Sequence, residues 1–90
     1  MLKNLLRRLS KHKPNIGHVY AVKLGHYAGE FFVVEDIKKA DIKLISLPRF
    51  RKRSMPAEAI DHAIKNGIIV FLEQLPHDIF KYIITMANKP

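Results

Sequence analysis

The stretch Pro48-Arg49-Phe50-Arg51-Lys52-Arg53 holds the residue types best suited to chemistry. Four cations around one aromatic ring are what a protein offers a single-stranded nucleic acid: charge for the phosphates and a ring for a base. Three of the four are arginines, whose planar guanidinium makes paired hydrogen bonds to phosphate oxygens. The same stretch also reads as a solvated basic loop with Phe50 tucked into the core. A second set of cations, Lys3, Arg7, Arg8 and Lys11, lies at the start of the chain. The expected contacts with nucleic acid or another anionic partner are therefore Arg49, Phe50, Arg51, Lys52, Arg53, Lys3, Arg7, Arg8 and Lys11. Tyr27 is a further ring for stacking.

The net charge of +8 is concentrated rather than spread. Residues 1–13 carry five cations and no acid, and residues 49–53 carry four. The rest of the chain holds seven basic and eight acidic residues and is close to neutral. Two cationic patches on a neutral body imply contact with phosphates, lipid headgroups or an acidic protein surface.

Other chemistries find little support. The five histidines (His12, His18, His26, His62 and His77) show no i, i+4 pair on a helix, and there is no cysteine to assist them. No metal site and no cofactor are expected. Ser10, Ser46, Ser54 and Thr85 lie in no nucleophile motif, so no catalytic residue is assigned. His18 or His26 acting with Arg49 or Arg51 on a phosphate would make a small ribonuclease, the one enzyme reading left open. Gly25 and Gly29 do not lead into Gly-Lys-Ser/Thr, which excludes a nucleotide-binding loop and leaves them as turn glycines.

These side chains need elements to position them. Leu2, Leu5, Leu6 and Leu9 form one stripe of a helix, with cations on its other side, and Pro14 ends it. Residues 1–13 are thus expected as a basic amphipathic helix and residues 14–90 as one domain. Its four leucines, without Trp or Phe, make a small apolar face, so nucleic acid or protein contact is preferred to a membrane surface. From Gly17 the period changes to two: residues 18–24 and 30–35 read as a hairpin, and Ile42–Leu47 as a third strand. Asp36 to Asp41 reads as a polar connection and Arg49 to Met55 as a basic loop. Ser54 and Pro56 open a helix that Asn66-Gly67 stops. Residues 68–72 suit a strand better than a helical turn, and Pro76 opens a last helix.

The expected fold is α+β: a meander sheet of three to four antiparallel strands packed with two or three helices. Ninety residues make one domain. No apolar run reaches the roughly 18–20 residues of a membrane span, and the basic N-terminus lacks the apolar core of a secretory signal. Absence of cysteine suits a reducing compartment, so a cytoplasmic location is expected. The expected function is that of a small, basic nucleic-acid-binding accessory protein, acting largely independently of sequence, on DNA or RNA. The alternative is a protein-interaction module or inhibitor, of the kind phages and mobile elements encode, that binds an acidic or nucleic-acid-associated host protein.

Overall fold

A computed structural model describes residues 12–90. The expected N-terminal helix, with Lys3, Arg7, Arg8 and Lys11, lies outside the described residues. The chain forms β1 (His18–Val22), β2 (Phe31–Lys38), β3 (Asp41–Leu47), β4 (Arg51–Pro56), α1 (Ala57–Lys65), β5 (Ile69–Gln74) and α2 (His77–Ala87). The strands make one antiparallel sheet in the order β4-β3-β2-β1-β5. The α+β class is as expected, with five strands in place of three or four.

The extra strand is β4, which occupies most of the expected basic loop. Arg51-Lys52-Arg53 has no apolar alternation, so its sequence gives no strand signal. Its partner supplies the order: Ser46, Ile45 and Leu44 of β3 pair with Arg51, Lys52 and Arg53. An edge strand has one neighbour and an open side, and charged residues there discourage pairing with another chain. The expected polar connection 36–41 is also mostly strand. β2 runs on through a bulge between Val34 and Asp36, and the chain reverses at Lys39-Ala40, with Lys39 in the left-handed region (φ 52°).

The two helices cover opposite faces. β4 and β5 are the two edges of the sheet, about 19 Å apart at four strand spacings. The segment between them must therefore cross a whole face, and nine residues of α1 span about 14 Å of that distance. Ile60 and Ala63 of α1 pack on Tyr20, Val22, Phe32, Val34, Ile42, Leu44 and Ile69. On the other face Ile83 of α2 packs on Val19, Val33 and Ile45, with Phe80, Ile84 and Leu75 around it. Because both faces are covered, successive residues are buried in the middle of the sheet: Phe32, Val33 and Val34 in β2, and Leu44 and Ile45 in β3, with Val33 and Ile45 fully buried.

The ends of α1 differ in part from expectation. Pro56 is the N-cap, and no side chain among the described residues caps the helix. Ser54 lies two residues earlier, still within β4, so it cannot reach the free N–H groups of the first turn. The stop at Asn66-Gly67 is as expected: Asn66 is the C-cap and Gly67 has φ 69°.

Candidate anion-binding site

Strand β4 decides how the cationic stretch is displayed. Side chains alternate along a strand, so Arg51 and Arg53 share one face and Lys52 takes the other. Arg51 and Arg53 are on the α1 face of the sheet, opposite Ser46 and Leu44. Two residues along a strand separate them by about 7 Å. Arg49 comes from the reversal Pro48–Phe50, which follows a cis Leu47–Pro48 peptide bond.

The hairpin loop between β1 and β2 closes the site from the other side. Arg49, Arg51 and Arg53 line one cavity of about 360 Å³ together with His26, Tyr27 and Glu30. Ser46, 1% exposed, forms its floor and donates from Oγ to the Arg51 carbonyl oxygen at 3.3 Å. The Arg53 guanidinium carbon stands 4.1 Å from the centre of the Tyr27 ring, and its Nη1 donates to the Tyr27 hydroxyl at 3.1 Å. Arginine held against an aromatic face keeps its charge while losing little freedom. The Arg53 Nε is buried and has no hydrogen-bond partner among the described residues.

No described carboxylate makes an ion pair with these arginines. Among the described residues the ion pairs are Lys52–Glu35 at 3.6 Å and Lys65–Asp61 at 3.1 Å. Residues 1–11 contain no Asp or Glu. Three guanidinium groups therefore face one cavity without a paired acid, and Glu30 at its edge is the only carboxylate lining it.

The other expected contacts are placed elsewhere. Lys52 points to the α2 face, where it pairs with Glu35 and donates to the Asn88 side chain, tying β4 to the end of α2. Phe50 is half-buried and packs on the core cluster of Val19, Val33, Ile45 and Ile83, so its ring anchors the reversal. Phe50 holds φ 58°, an uncommon conformation for an aromatic residue, and its burial offsets that strain. Tyr27, the further stacking ring, already carries Arg53 on one face. Glu30 and Ser46 were not in the expected set, and His26 was expected beside Arg49 or Arg51 only in the ribonuclease reading. The glycines flanking 26–28 marked a turn, but the residues it faces depend on β4 being a strand.

A second side-chain cluster lies at the far end of β1. His12 and His18 stack at 5.8 Å between ring centres, and Phe71 lies 5.0 Å from His12 and 4.7 Å from His18. Burial pushes the Tyr20 hydroxyl up to about 12, and that hydroxyl shares a hydrogen bond with His12 Nε2 at 2.8 Å. His18 is held below its ordinary value, first by burial and then by His12. Its Nδ1 accepts the Asn15 backbone N–H at 3.2 Å. Among the described residues no three His, Cys, Asp or Glu side chains come close enough to hold a metal ion. No described helix is long and apolar enough to cross a membrane.

No family model, curated protein or solved structure matches this chain. The chemistry of the site is that of its own residues: an open cationic cavity with one stacked arginine, an imidazole and a carboxylate at the rim.

Proposed function

We infer that this protein binds a nucleic-acid strand through its phosphates, largely independently of base sequence, at the cavity formed by Arg49, Arg51 and Arg53. The observation that carries this reading is the convergence of three arginines, none paired with a described carboxylate, on one cavity. Like charges gathered without a counter-charge repel one another, and an anion bound among them removes that repulsion. Arg51 and Arg53, about 7 Å apart on one strand face, suit successive groups along a charged backbone. Lys52, already paired with Glu35, contributes little.

The test is fluorescence-anisotropy binding of labelled single-stranded DNA, RNA and duplex between about 50 and 200 mM salt, where release of counterions is diagnostic. Wild type is expected to bind more weakly as salt rises. Replacing Arg49, Arg51 and Arg53 with Ala should weaken binding at least tenfold. It should also flatten the logarithmic salt slope by about 2, since each single-strand phosphate contact contributes about 0.7. Lys52→Ala should stay within about twofold. No binding at the low-salt end would exclude this reading and favour the alternative, a protein partner held by the same cations. Such a partner would form a 1:1 complex that survives nuclease treatment.

A ribonuclease reading has one specific observation in its favour: His26 and Glu30 line the same cavity as the arginines. A carboxylate that takes the 2′-OH proton and an imidazolium that protonates the leaving 5′-oxygen would suffice for strand transfer to a cyclic phosphate. Cleavage of RNA but not DNA, lost in folded His26→Ala, is the outcome that would favour it over binding alone.

A further inference from the structure

The cationic cavity has a neighbour of opposite character. Beneath the β1–β2 loop and beside α1 lies a cavity of about 480 Å³, within the size range of small-molecule sites. Its walls are mainly apolar: Val22 and Phe32 from the sheet, Met55 from β4, Ile60 and Ala63 from α1, and Ile69 from β5. His26, Tyr27 and Arg53 line both cavities, so the stacked Arg53–Tyr27 pair stands between an apolar chamber and a charged one.

We propose that the two cavities form one nucleotide site, with the base of a single-stranded residue in the apolar chamber and its phosphate against Arg49 and Arg51. This rests on the nucleic-acid reading above and narrows it to unpaired strands, whose bases are free to leave the stack. Two observations support a base over an aliphatic occupant. The chamber is open beside the cations, so its occupant must be apolar at one end and anionic at the other. Its shared wall is already an aromatic ring with a guanidinium laid on it, a surface suited to a flat ring. Binding by shape and stacking also fits the expected lack of sequence preference.

The experiment keeps the phosphates and removes the bases. Binding of a labelled oligothymidylate is compared with that of a strand of equal length made of abasic residues, in low salt, by anisotropy. The expected result is at least a tenfold weaker interaction with the abasic strand. Ala63→Met, which fills the chamber from α1, should bring the oligothymidylate down towards the abasic affinity and leave the abasic strand unchanged. Circular dichroism and thermal melting of this variant establish that it is folded. Unlabelled thymidine monophosphate is added as competitor. Weak competition assigns the site to a residue within a strand; competition as strong as that of the strand assigns it to a free nucleotide with the same contacts. Equal binding of the two strands by wild type would overturn the nucleotide site and leave phosphate binding standing. Binding of neither strand would overturn both.

Discussion

At the scale of single residues, several side chains carry roles that substitution can separate. Tyr20 is buried in the α1-side core, and its hydroxyl meets His12. Tyr20→Phe keeps the ring and removes that hydrogen bond, so it should cost about 1 kcal/mol of stability in urea denaturation. Leu44 and Ile45 face opposite ways from adjacent positions and are both essentially buried. Truncating either to Ala should cost about 2–5 kcal/mol, enough to threaten folding of a domain this small. His18 gives a pH signature. Its proton affinity is lower folded than unfolded, so the unfolded chain takes up the extra proton. Stability from this group is therefore full above about pH 6.5, the unfolded value, and falls as pH drops through and below it. Denaturation midpoints at pH 7.5 and 5.5 should differ less in His18→Gln than in wild type. The candidate site was partly legible at this scale. Arginines flanking an aromatic declared themselves by type. Whether they shared a face did not, because Arg51, Lys52 and Arg53 divide two to one only once the backbone is known to be extended.

At the scale of elements, the same segment explains where the sequence spoke clearly and where it did not. Strands β1 and β3 and both helices carry their own signals: period-two alternation, a proline at each helix start and Asn66-Gly67 at a helix end. Strand β4 has none of these, and its order comes from pairing with β3, a non-local cause that local residue types do not record. The β2–β3 reversal was hidden in a polar run for the same reason. There Lys39 holds a left-handed conformation that suits glycine better. Lys39→Gly should raise stability by up to about 1 kcal/mol, since relief of the strained backbone outweighs the added freedom of the unfolded chain. Gly17 shows the opposite case. It sits at φ 88°, and an added Cβ would collide with the Gln74 side chain, which donates to the Ile16 carbonyl oxygen. Gly17→Ala should therefore destabilise more than Gly25→Ala, where φ is 92° but the surrounding space is open. Thermal melts of the two variants side by side provide the comparison.

At the scale of the whole molecule, the sheet has two unlike edges and two covered faces. The β4 edge carries the cations. The β5 edge carries Val70, Phe71 and Leu72, all more than a third exposed. The proposed site sits towards the charged edge, under the β1–β2 loop, so the body of the fold serves mainly to hold that loop opposite β4. In this arrangement α1 does two things: it covers the core and walls the apolar chamber. The α+β class was within reach of the sequence, because stripes of helical period and alternation of strand period both stand in it. The sheet order was not, since it depends on which edge of the meander the last strand joins.

That order has a consequence for how the chain is made. Strands β1 to β4 follow one another as hairpins, so each pairs with a segment that has only just left the ribosome. The partner of β1 on its other side is β5, far downstream in the sequence: His18 pairs with Gln74 and Val22 with Ile69. Until those residues emerge, β1 presents an open edge, and neither helix can be fully seated, because α1 spans to β5 and α2 follows it. Pairing of distant segments is the slow part of folding, and exposed edges are where nascent chains associate wrongly. The domain is therefore a half-finished sheet until Ile69–Ala87 have emerged, and only then can it become sealed.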